Sequence, residues 1–165
     1  MLKELTLFHI TCVTHNSRIS ERMIKYKVKV GTPVELSDKD EIALAKHFSE
    51  IVKNDKLNII AYNSCKDHIH FVIACEAERL SPIIQKIKSI TARKFSENKE
   101  ISQLWAQKFN RKVIYKEKQL SDVIFYVNNN RLKHNLKDIP ELKSVIQSMI
   151  MPFEKILEAL GNEQF

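Results

Sequence analysis

The chain has 165 residues, 44% apolar and 28% charged, with only 2 Gly and 4 Pro, which suits one compact domain with an extra terminal helix and excludes wholesale disorder or collagen-like organisation. Its net charge of +7 is uneven: residues 79–137 hold 14 Lys/Arg against 4 Asp/Glu, residues 1–78 are neutral and residues 138–165 are acidic, so a local polyanion-binding surface competes with a lysine-rich solvated one. No run approaches the roughly 18–20 apolar residues of a membrane span, no signal pattern opens the chain, and Cys12, Cys65 and Cys75 are too far apart for a disulfide framework, so a reducing cytoplasm is expected.

In chain order, Leu5–Thr14 reads as a strand with Phe8, Ile10 and Cys12 on one face and Leu7, His9 and Thr11 on the other. Arg18–Val30 is basic and partly β-branched, closed by Gly31-Thr32-Pro33, and reads equally as a ribbon or a long loop. Ser37 is an expected N-cap, followed by acidic residues and the stripe Leu44, Ala45, Phe48, Ile51 and Val52 at helical spacing. Leu57–Tyr62 and His68–Cys75 are expected strands joined by a turn at Asn63–Asp67. Ser81-Pro82 opens a predicted helix to about Asn98, with Ile83, Ile84, Ile87, Ile90 and Phe95 inward. Arg111–Tyr115 is a short strand and Lys118–His134 a third helix. Ser144–Leu160 is a last helical segment that Met151-Pro152 kinks or splits. The order predicts an α+β fold, a ferredoxin-like split βαβ antiparallel sheet with helices on one face, plus the Lys118–His134 helix and a helical tail.

The pattern Asp67-His68-Ile69-His70-Phe71-Val72-Ile73 carries the most chemistry. Alternation puts His68 and His70 on one face of a strand and Ile69, Phe71 and Ile73 on the other. Two imidazoles on a rigid strand can ligate one divalent metal; two surface histidines are the plain alternative. On the third helix, Tyr126 and Asn130 are four apart and share a face. An Asn130 oxygen would complete a His/His/Asn set suited to Mg²⁺ or Mn²⁺, with Tyr126 beside the ion. An amphipathic core-edge role for Tyr126 and a fraying helix end at Asn128–Asn130 are the alternatives.

These residues resemble the HUH single-tyrosine transposases, which include insertion-sequence and REP-associated tyrosine transposases. The resemblance spans roughly residues 5–136. It rests on Phe8-His9-Ile10-Thr11, the strand around His68-Ile69-His70, the basic helix Ile84–Phe95, the segment Leu104-Trp105-Ala106-Gln107-Lys108-Phe109, and Tyr126-Val127-Asn128-Asn129-Asn130. Cys65-Lys66-Asp67 stands where the family usually has Met-Pro-Asn, and Arg131 follows Asn130 where the REP-associated branch usually has Pro. The resemblance implies residues 1–137 as the transposase-like domain, with 138–165 a helical extension packed on it or on a partner. It also implies that Tyr126 attacks single-stranded DNA to form a 5′-phosphotyrosine, assisted by a metal on His68, His70 and Asn130, beside a recognised DNA hairpin. Free tyrosine ionises only near about pH 10, so the phenol needs activation; Asp67 and His134 lie near the motifs, but no general base is evident.

Lys86, Lys88, Arg93, Lys94, Lys108, Arg111 and Lys112 are candidate phosphate contacts. Trp105 is a candidate platform for an unpaired base, or a core anchor. The rival readings are a catalytically inactive, domesticated hairpin-binding protein, a metal-dependent nuclease that does not need Tyr126, and a replication initiator. A homodimer is one expectation, since two DNA ends must be exchanged, and a monomer is the other.

Overall fold

The computed structural model describes residues 4–97 and 99–160; the expected helix end at Asn98 lies outside them. Four strands form one antiparallel sheet: β1 (Thr6–Val13), β2 (Asn58–Cys65), β3 (His68–Cys75) and β4 (Asn110–Ile114), in the spatial order β2-β3-β1-β4. The mixed α+β architecture with an open antiparallel sheet agrees with the sequence reading.

One sheet face is apolar because period-two alternation delivers Phe8, Ile10, Ile69, Phe71 and Ile73 to it. Two helices cover this face, α2 (Asp38–Asp55) and α3 (Leu80–Ser96). The stripe Leu44, Ala45, Phe48, Ile51 and Val52 is buried as its spacing requires, and Ser37 and Asp40 form a reciprocal capping box. Ahead of α3, a 3-10 turn at Ala77–Arg79 runs straight into the helix. The helix therefore starts at Leu80, and Ser81 is not its cap.

The opposite face is split along its length. One end carries Leu7, Val72, Ala74 and Ile114, packed against α4 (Glu117–Asn128) and α7 (Phe153–Leu160). The other end carries His9, Thr11, His68 and His70. Leu120 and Val127 fix α4 to the sheet. Full burial of each contributes roughly 1.5–3 kcal/mol, which matters for a helix too short to be stable alone.

Two expected boundaries move beside long-range polar contacts, and the tail divides where Met151-Pro152 predicts. β2 continues through Asn63, Ser64 and Cys65, which pair with His70, Ile69 and His68, so the hairpin turn shrinks to Lys66-Asp67. The polar side chains are tolerated because Asn63 Nδ2 donates to the carbonyls of Val127 and Asn128, and Ser64 Oγ donates to Glu41. Those carbonyl contacts also divide the expected Lys118–His134 helix, which breaks at Asn129 into α4 and α5 (Asn130–Lys133). The tail splits at Met151-Pro152 as expected, into α6 (Pro140–Met149), which starts earlier than Ser144 and packs with α2, and α7 on the opposite sheet face. Between them the Met151 N–H donates to Ile59 O at 2.6 Å, where β2 bulges, so the crossing covers part of an otherwise open edge. Arg18–Val30 is a loop holding one short helix, α1 (Glu21–Lys25). Among the described residues, no helix is long and apolar enough to cross a membrane.

Candidate active site

Side chains from β1, β2, β3, α4 and α5 converge on the polar end of the second sheet face. His68 and His70 project there together, with ring centroids 4.9 Å apart. Neither is a surface histidine, for both are buried beneath α4 and α5. Each is oriented through its Nδ1. His68 Nδ1 donates to Asp67 Oδ1 at 2.5 Å, and Arg18 holds the other carboxylate oxygen, also at 2.5 Å. Burial pushes the Asp67 carboxyl up, but the Arg18 and His68 hydrogen bonds outweigh it and hold the group below the usual range. Thr11 Oγ1 and His9 Nε2 each lie 3.0 Å from His70 Nδ1. Nε2 is then the nitrogen each imidazole presents to a ligand.

His68 Nε2 lies 3.0 Å from Asn130 Oδ1, which accepts a further contact from the Cys65 thiol at 2.9 Å. With Nδ1 protonated toward Asp67, two acceptors face each other across that gap, an unfavourable apposition that a shared cation relieves. An octahedral cation with ligands at about 2.1 Å holds adjacent ligand atoms about 3 Å apart. Among the described residues the buried Asn130 Nδ2 has no hydrogen-bond partner. His68 Nε2 and Asn130 Oδ1 thus stand at a spacing that suits two ligands of one divalent ion, with the His70 ring 4.9 Å from that of His68. A second cluster, Cys65, His68 and His134, has ligand atoms within 4.8 Å of one another. Burial pushes the Cys65 thiol up to about 12, which disfavours the thiolate a metal would need.

Burial, reinforced by His68, His9, His134 and Lys133, lowers the His70 pKa to about 3. The ring is therefore neutral near pH 7, as ligation requires. In the unfolded chain it takes a proton near pH 6.5, so its contribution to stability is complete above that value and fades as pH falls toward about 3. His9 is shifted the same way, by burial and then by Lys112. The thermal midpoint of the metal-free protein is expected to drop on acidification from about pH 6.5 to 4.5, and His70→Gln to flatten that slope. A midpoint constant across this interval in the parent protein would contradict the assignment.

The Tyr126 ring sits edge-on to His70 and His9, with centroids 5.3 and 5.9 Å away, and is 37% exposed. Lys133 Nζ stands 4.8 Å from its centroid. Tyr126, His68, His70, Arg18, Lys108 and Lys133 share one open cavity of about 600 Å³. The phenol and the histidine pair are thus adjacent, although Tyr126 and Asn130 stand on two helices, not one.

The proposed DNA contacts divide. Lys108 enters this cavity, and Lys112 lines an adjoining recess with His9, His70 and Tyr126. Lys86, Lys88, Arg93 and Lys94 belong to α3, across the sheet from the histidines, and Arg111 pairs with Ile10 in β1, on the side of β4 opposite Lys112. Lys86 pairs with Asp55 at 2.7 Å. Lys88 is corrected to a structural role: its ammonium donates to the carbonyls of Ala106 and Gln107, tying α3 to the following segment. Trp105 is corrected too. It is 4% exposed and its ring N–H donates to Thr91 Oγ1 at 2.9 Å, so it is a core anchor and no base can stack on it. Arg18, Thr11, Cys65 and Lys133 are site residues that the motif reading missed. Thr11 was the most accessible of them, because it shares the non-core face of β1 with His9.

The family profile described as "Transposase IS200 like" matches residues 22–130, and the chain belongs to that family. Two solved structures share the fold. A REP-associated tyrosine transposase bound to a REP hairpin is 16% identical with a TM-score of 0.55, covering 99% of this chain and 86% of that one. A Deinococcus radiodurans protein assigned as a transposase is 14% identical with a TM-score of 0.50, covering 74% of this chain and 88% of that one. Comparison with curated proteins gave no match.

Proposed function

We propose that this chain cleaves and rejoins single-stranded DNA through a 5′-phosphotyrosine on Tyr126, next to a DNA hairpin, with Mg²⁺ or Mn²⁺ held by His68, His70 and Asn130. The observation that carries the reading is the meeting of a half-exposed phenol with two buried, oriented imidazoles in one cation-lined cavity. The hairpin preference is carried over from the DNA bound in the related structure.

When bound, the ion supplies positive charge beside the scissile phosphate. The protein supplies the rest. The Tyr126 oxygen attacks phosphorus and gives up its proton to solvent, the bond to the 3′ oxygen breaks, and the leaving oxygen takes a proton from solvent to become a 3′-hydroxyl. The link to Tyr126 keeps the cut end attached and its energy stored, so another 3′-hydroxyl can reverse the attack without ATP. Lys108, Lys112, Lys133 and Arg18 bring positive charge to the strand at the cut. Lys86, Arg93, Lys94 and Arg111 are contacts for DNA farther away.

The test is hairpin-flanked single-stranded DNA incubated with the protein and Mn²⁺, with and without EDTA, and resolved on a denaturing gel. A slow-migrating, EDTA-sensitive protein–DNA adduct supports the reading. Free cleaved ends alone would identify a nuclease. Retained binding without cleavage would identify the inactive hairpin binder.

Asp67→Ala removes the acceptor that fixes the His68 ring. Loss of such an orienting carboxylate weakens metal binding about 10–100-fold. A titration of Mn²⁺ followed by electron paramagnetic resonance checks this, and unchanged affinity would show that Asp67 serves Arg18 alone.

A further inference from the structure

Residues 14–37 connect β1 to α2 by a route far longer than the roughly 2–6 residues common between packed elements, and long connections of this kind are commonly functional. The neck of the connection is fixed. Val34 N–H donates to His15 O at 3.0 Å, Thr14 Oγ1 to Val34 O at 2.6 Å, and Ser17 Oγ to Thr14 O at 2.8 Å. Its head is the reverse. The short helix α1 buries none of its residues, and Ile24 and Tyr26 are 67% and 64% exposed. Ile19 and Val28 are exposed as well. All four lie within ten residues of one arm whose helix buries nothing, so core packing gives no reason for their exposure.

The charge of the arm narrows what would cover it. Arg18, Arg22, Lys25, Lys27 and Lys29 face a single acid, Glu21. Arg22 Cζ and Lys25 Nζ lie over the Tyr26 ring, 6.0 and 5.6 Å from its centroid, so an exposed ring and two cations form one cluster. Cations along a backbone combined with an exposed ring match unpaired nucleic acid, whose bases can stack; a duplex keeps its bases inside. The neck also delivers Arg18 to Asp67, beside His68, so a strand leaving the cavity meets the arm.

We propose that the Arg18–Val30 arm is a single-stranded DNA clamp, in which one unpaired base stacks on Tyr26 while Arg22, Lys25 and Lys27 hold the neighbouring phosphates. The proposal rests on the DNA-processing reading above and adds the surface that would hold the strand outside the cavity.

Fluorescence anisotropy with a labelled oligothymidylate of about 16 nucleotides, and with a blunt hairpin lacking single-stranded flanks, tests it. Tyr26→Ala is expected to weaken oligothymidylate binding about 10-fold, the effect of losing one stacked base, with under about a 2-fold change on the hairpin. The triple variant Arg22→Gln, Lys25→Gln, Lys27→Gln is expected to make the slope of log affinity against log salt shallower by about 2. Because α1 buries nothing, both variants should keep the parent thermal midpoint. Parent-like oligothymidylate binding by both variants overturns the proposal, as do equal losses on oligothymidylate and hairpin. If the parent forms the tyrosine adduct while the variants bind normally, the arm assignment fails and the strand-transfer reading stands. If the arm variants lose affinity but the parent never forms an adduct, the reverse holds.

Discussion

The Tyr126→Phe protein is expected to fold and bind DNA as the parent does but to form no covalent adduct. The substitution deletes one hydroxyl and keeps the ring that packs against His70 and His9 and faces Lys133. Tyr126 is partly exposed, so no buried hydrogen bond is lost with the oxygen. Removing a nucleophile costs more than removing a group that assists it, and the loss of strand cleavage should reach roughly 10³-fold or more. The readouts are the denaturing gel for the adduct, anisotropy for DNA affinity and thermal unfolding for the fold. Persistence of the adduct would reassign the nucleophile. Tyr115 would then be the next to replace, although it follows the Ile114 end of β4, away from the Asn110 end that borders the histidines. Cleavage at the parent rate without an adduct would mean that water, not the phenol, attacks.

The part of this site that the sequence disclosed is the part governed by local periodicity. Two-residue alternation is a property of any strand, so His68 and His70 had to share a face once Ile69, Phe71 and Ile73 were assigned to the core. Helical spacing revealed the inner faces of α2 and α3 for the same reason. Helical spacing put Tyr126 and Asn130 together as candidates, and the resemblance to a known family added the nucleophile role and the link to a strand some sixty residues earlier.

What local pattern could not disclose is who satisfies whom across the fold. Asn63 and Ser64 read as turn residues because they are polar, yet they are buried strand residues whose partners lie on α4 and α2. Lys88 reads as a DNA contact by residue type, yet it ties α3 to the segment after Trp105, and of the two readings of Trp105 the buried anchor bonded to Thr91 is the one observed. Arg18 lay in a stretch that read equally as a ribbon or a long loop, and its partner Asp67 is 49 residues later, in the hairpin turn. Each error has the same source: a polar or aromatic side chain advertises its chemistry in the sequence, while burial and partner are set by residues far away in the chain.

Arg131 makes the same point with the largest energy attached. It follows Asn130 directly, it is nearly fully buried, and it forms an ion pair with the fully buried Glu41 of α2. The guanidinium also donates to Ser64 O on β2 and to Lys137 O, so it fastens the turn carrying Asn130 to both layers beneath it. Glu41→Ala is expected to lower stability by about 3–5 kcal/mol, the cost of leaving a buried charge unpaired. Arg131→Met should cost less, because the two ends are not equivalent. A guanidinium cannot shed its proton, whereas burial already raises the Glu41 carboxyl above its usual range and lets it become neutral. The Arg131→Met protein should therefore gain stability relative to the parent as pH falls from 7 toward 5, while Glu41→Ala should show no such recovery. The double variant Glu41→Leu, Arg131→Met replaces the pair with apolar groups and should regain most of the lost stability. Its Mn²⁺ affinity then separates two roles: recovered stability with weakened metal binding means that the pair positions Asn130, and recovery of both means that it only fills space. Urea unfolding at several pH values and a Mn²⁺ titration measure the two quantities. Equal destabilisation by Glu41→Ala and Arg131→Met at every pH would show that the pair is not held in the charged, buried state from which this asymmetry follows.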